Sequence, residues 1–135
     1  MNLYDKDDGF KQFVLDEANA LLPDIIAKTE EALEDLQNIQ DRFESEKVID
    51  TELHEDEYEG ETAVILQKWS RDMVALGVYP KGYFTVDFKS PVPDTLFCWT
   101  YGETEITHTH KVFETFRDRR LIKNKDKPGF EQSLN

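Results

Sequence analysis

The stretch FVLDEANALLPDIIAKTEEALEDLQNIQDRF, residues 13–43, decides the fold class. An apolar residue recurs every three or four positions: Leu21, Leu22, Ile25, Ile26, Leu33, Leu36, Ile39 and Phe43, with Ala32 on a neighbouring position. That spacing lines one face of an amphipathic helix, and Glu30, Glu31, Glu34, Asp35 and Asp41 occupy the other positions. Pro23 either kinks this helix or sits in the first turn of its longer part. A helix with one apolar stripe needs a partner to cover it. Tyr58, Thr62, Ile65, Leu66, Trp69, Met73 and Leu76 form a second helical pattern, and Gly77 supplies a C-terminal stop. The acidic residues 44–60 read as the connection between them, unless the first helix runs on to about Val48. Two such helices predict an antiparallel hairpin.

Beyond Gly77 the period changes from helical to alternating. Tyr79-Pro80-Lys81-Gly82 has the composition of a turn. Residues 83–88 then alternate, with Phe84, Val86 and Phe88 on one face and Tyr83, Thr85 and Asp87 on the other. Ser90-Pro91-Val92-Pro93-Asp94 is a loop signal, the aromatic-rich residues 96–101 read as a central strand, and Gly102 punctuates. Residues 103–112 read as a third strand with Ile106, His108, His110 and Val112 on one side. The expected architecture is α+β: a long antiparallel helical hairpin packed on a small antiparallel three-stranded meander. Residues 1–12 are expected to be a flexible N-terminal segment. A single domain covers 13–122, with the hairpin over 13–77 and the sheet and basic segment over 78–122. Residues 123–135 read as a loose tail.

Composition narrows the function classes. The chain has 135 residues, room for one domain, and 39% of them are hydrophobic, enough for a packed core. Its formal net charge of −13 argues against binding duplex nucleic acid, which needs a basic surface. No run approaches the roughly 20 apolar residues of a membrane span. One cysteine and no visible export signal lead to an expected cytoplasmic location. The charge is uneven: residues 1–60 carry 19 acids against 5 bases, whereas residues 111–127 carry 7 bases against 3 acids. The basic segment could meet the acidic helices of its own chain, a second copy, or a single-stranded nucleic acid.

Two constellations could carry chemistry. His108-Thr109-His110 puts two imidazoles on one face of a strand, about 7 Å apart at Cα. Such a pair can supply two ligands to a divalent metal, with Glu103, Glu105, Asp87 or His54 as a third. Asp87, Glu103, His110 and Arg119 form the second, a carboxylate to orient an imidazole and an arginine to hold an anion. Alternation opposes direct contact between Asp87 and His110 unless a bulge shifts the register, because Asp87 faces away from the apolar side of its strand while His110 falls on the apolar side of its own. Cys98, inside an aromatic strand, reads as a small hydrophobe. No nucleophile elbow, phosphate-binding glycine loop or dinucleotide fingerprint occurs.

Phe13, then Glu17-Ala18-Asn19, Leu21-Leu22-Pro23, Leu76-Gly77-Val78, Val86-Asp87-Phe88, Cys98-Trp99, Gly102-Glu103, His110, Phe116 and Arg119 occur in that order. This ordered set resembles a bacterial family, domain of unknown function 2203, over roughly residues 13–121. Thr109 and Asp118 stand where that family usually has tryptophan and glycine. The resemblance implies no reaction, cofactor or partner. From the residues, the leading expectation is a non-enzymatic protein acting through protein–protein contacts or self-association. A homodimer built on leftover apolar helix surface fits it, and no cofactor is expected. The rival is a small metal-dependent or histidine-using enzyme centred on His110, Glu103, Asp87 and Arg119.

Overall fold

The structure is a computed structural model. It describes residues 10–46 and 51–122, with the side chains of all of these except 51–54. The expected flexible segment and tail therefore lie largely outside the described residues, as does the side chain of His54.

Helix α1 spans Leu15–Glu46 and α2 spans Thr51–Ala75. Their pairing is antiparallel: Phe43 meets Tyr58, Arg42 pairs with Glu61, and Lys68 lies 3.8 Å from Glu31. Between them Trp69 Nε1 donates to Thr29 Oγ1 at 2.9 Å, and the Thr29 hydroxyl donates in turn to the Ile25 carbonyl at 2.8 Å. That chain satisfies a buried indole where two helices cross. Pro23 sits inside α1, which continues through it. The buried Leu22 and Ile25 on either side hold the helix together where one backbone hydrogen bond is missing.

The linker is far shorter than the expected 44–60. Residues 51–57, rich in acids, are the first turns of α2. Carboxylates near a helix N-terminus interact favourably with its dipole, so a run that looks like a solvated loop is also good helix-start chemistry. Gly60 lies within α2 and does not break it, at a cost of about 1 kcal/mol relative to alanine. Gly77 is the true stop, with φ of +92°.

Among the described residues the sheet has five antiparallel strands in sequential order: β1 Tyr79–Lys81, β2 Thr85–Lys89, β3 Thr95–Thr100, β4 His108–Lys111 and β5 Arg120–Leu121. The expected three-stranded meander is its centre. The two added edge strands are three and two residues long, too short to show alternation. Pro80 belongs to edge strand β1, where a missing N–H does no harm. The expected third strand shortens to His108–Lys111. Residues 103–107 instead form a connection pinned by side chains: Thr100 N–H donates to Glu103 Oε1, and Ile106 N–H donates to Asn19 Oδ1 of α1 at 2.8 Å.

Between the two layers lies the core. Val86, Phe88, Phe97 and Trp99 point from the sheet toward the helices, where they meet Ala18, Leu22, Ile25, Trp69 and Met73. Phe13 packs edge-on against Phe88, and Trp69 against Phe84. The N-terminal segment is stitched to the sheet by Phe13 N–H donating to the Lys89 carbonyl at 2.8 Å. Among the described residues no helix is long and apolar enough to cross a membrane.

Candidate functional site

Strand pairing fixes what the opposite sheet face carries. Asp87 lies directly across from Cys98, Cys98 across from His108, and Leu96 across from His110. Because side chains alternate, Asp87, Cys98, His108 and His110 share the face turned away from the helices. Ile106 is not part of this strand. It is buried in the core, so it does not report the direction of His110, and the expected separation of Asp87 from His110 does not hold.

Asp87 Oδ1 and His110 Nε2 are 3.1 Å apart, with side chains 1% and 6% exposed. Cys98 is fully buried beside them. One ligand atom from each of Asp87, Cys98 and His110 lies within 4.8 Å of the other two. These residues floor an open cleft of about 980 Å³. Its walls come from Lys81, Gly82 and Tyr83 before β2 and from Val112, Glu114 and Phe116 after β4. Lys81 Nζ is 3.9 Å from Asp87 Oδ2. Tyr83, almost wholly exposed at the rim, holds a positive φ of 58°.

The His110 ring is oriented from behind. Its Nδ1 is 2.7 Å from the Lys111 carbonyl, which can only accept, so Nδ1 carries a proton. Nε2 then faces a carboxylate oxygen that also accepts when ionised. A positive species belongs between them, either a shared proton or a cation. Burial alone lowers the imidazole pKa. The hydrogen bond and charge of Asp87, with the Lys111 carbonyl, outweigh it and leave the pKa raised. Burial, reinforced by Asp87, pushes the Cys98 thiol far above its ordinary value.

Glu103 and Arg119, the other two predicted residues, pair with each other at 3.1 Å. Arg119 stacks on Phe116 at 4.1 Å and lies 3.5 Å from the Cys98 carbonyl, so this pair adjoins the cleft floor at Cys98. His108 turns toward Glu103 at 3.8 Å and contacts Thr107 Oγ1 at 2.9 Å. The structure thus groups His110 with Asp87 and Cys98, and His108 with Glu103. Glu105 is exposed in the β3–β4 connection. Cys98 was not among the expected ligands. The signal lies in the pairing: the loop at residues 90–94 joins the two strands as a hairpin, and their register sets Asp87 against Cys98.

Within the basic segment, Arg119 and Arg120 pair with Glu103 and Glu114, not with the acidic helix α1. Glu114 accepts two bonds from Arg120 and one from the Lys111 N–H, and these hold its carboxyl at about 2. A depressed carboxylate stabilises the fold above its ordinary value of 4.5, and this is lost as the pH falls through about 2. Glu114→Gln is therefore expected to lower Tm at neutral pH, with the difference from the parent protein closing near pH 2. Thermal unfolding across that range reads it directly.

A family model described as "Uncharacterized conserved protein (DUF2203)" matches residues 11–122. No curated protein and no solved structure matches the chain. The matched span runs from the segment stitched to β2 through both helices and all five strands, and includes every residue of the cleft floor. The chain belongs to the DUF2203 family.

Proposed function

We propose that the protein binds, and acts on, a small molecule in the cleft floored by Asp87, Cys98 and His110. One observation carries this reading: three buried, chemically different side chains converge at the base of a cavity large enough for a small ligand. A sheet face left to solvent ordinarily carries exposed polar residues. Burying a carboxylate and an imidazole there costs stability, which a purely structural sheet has no reason to bear. Central strands β2, β3 and β4 hold all three, so the floor is rigid. Tyr83, Val112 and Phe116 offer apolar surface to the body of a ligand, and Lys81 sits beside the acidic floor. A reducing compartment such as the cytoplasm suits the site, because Cys98 functions there as a thiol.

Self-association is the second reading, supported by Val64, Leu66 and Val74, which α2 leaves exposed. At about 100° per residue they spread over about 160° of the helix, wider than a single seam. The cleft therefore explains more. Fragment binding mapped on backbone amide NMR signals separates the two. The cleft reading expects shifts at Thr85, Asp87, Cys98, Thr100 and His110. Fragments that leave these amides unmoved, with concentration-dependent broadening confined to α2, would overturn it in favour of association.

A further inference from the structure

We propose that Asp87, Cys98 and His110 are the protein ligands of a divalent cation of the zinc class, held with one coordination position open to the cleft. This deepens the cleft reading and rests on it. The donor set is one carboxylate oxygen, one sulfur and one imidazole nitrogen, all within 4.8 Å of one another. Tetrahedral zinc with bonds of about 2.0–2.3 Å places its ligand atoms roughly 3.3–3.8 Å apart, so the donors need contract by only about an ångström. The Lys111 carbonyl fixes the proton on Nδ1 of His110 and leaves Nε2 as a donor atom aimed at Asp87. Metal-bound histidines are held from behind in this way, and the cation supplies the positive species required between Nε2 and Oδ1.

Sulfur and nitrogen donors select zinc-class ions over magnesium or calcium, which prefer oxygen. Three protein ligands, not four, leave room for water or a ligand group, the pattern of an open site and not of a closed structural one. On binding, the Cys98 proton and the proton shared between His110 Nε2 and Asp87 both leave to solvent, and the thiolate–metal and Nε2–metal bonds form. Charges then balance at the floor: two from the cation against one each from Asp87 and Cys98.

The test is titration of the chelator-treated full chain with Co2+, followed by Zn2+. One equivalent of Co2+ is expected to bind with a thiolate-to-cobalt charge-transfer absorption, and Zn2+ is expected to abolish it. Cys98→Ser should remove that band, and His110→Gln or the near-isosteric Asp87→Asn should weaken binding by more than about 100-fold. His108→Gln should leave it intact. Circular dichroism confirms that each variant is folded. Absence of stoichiometric Co2+ binding, a band that survives in Cys98→Ser, or loss of binding in His108→Gln would each overturn the proposal. If fragments still occupy the cleft when Co2+ does not bind, the metal inference falls and the cleft reading stands.

Discussion

Asp87→Leu is expected to destabilise the metal-free protein by about 3–5 kcal/mol, and adding His110→Leu is expected to restore most of that loss. The single variant leaves the His110 ring buried with its Nε2 unpartnered and facing an aliphatic side chain. Replacing both partners removes the desolvation cost of both and lets two leucines pack against Cys98 and Val112. A buried polar pair that exists for stability behaves differently, because its double replacement stays as unstable as the single. Urea denaturation of the two single variants and the double variant, with chelator present, completes the cycle. Recovery in the double variant, together with loss of ligand binding, marks the pair as retained for function at the expense of stability.

Trp99→Ala is expected to cost about 3–5 kcal/mol and to lower Tm by roughly 10–20 °C. Trp99 is fully buried at the middle of the sheet, facing the helices. Its Nε1 donates to the Glu103 carbonyl at 2.8 Å, which tethers the β3–β4 connection. Alanine there opens a large cavity and frees a connection that also carries the Glu103–Arg119 pair. Trp99→Phe keeps most of the volume and loses the hydrogen bond, so its expected cost is about 1–2 kcal/mol. Similar losses for both variants would mean that the tether, not the packing, dominates.

The legible parts of the fold were those with a long period. Residues 13–43 carry enough repeats to define α1, and the alternation of residues 83–88 with the aromatic-rich residues 96–101 is enough to define the central hairpin. What was hidden depends on contacts distant in sequence. The start of β4 is set by Asn19 of α1 accepting the Ile106 N–H, across 87 positions. No local pattern shows that bond, so alternation alone places Ile106 on the same strand face as His110. β1 and β5 are too short for a period, and the start of α2 was masked by acids that serve a helix N-terminus and a loop equally well. The site followed the same division. Asp87, His110, Glu103 and Arg119 were legible as chemistry-bearing types. The grouping into Asp87–His110 and Glu103–Arg119, with Cys98 between, required the register.

Nitrogen-15 NMR of the histidine side chains, recorded before and after one equivalent of Zn2+, probes the cleft floor most directly. The account predicts that His110 keeps its proton on Nδ1 against the Lys111 carbonyl while Nε2 takes the shift of a metal-bound nitrogen, and that His108 hardly moves. A His110 ring unchanged at saturating Zn2+, or protonated on Nε2 alone, would contradict it.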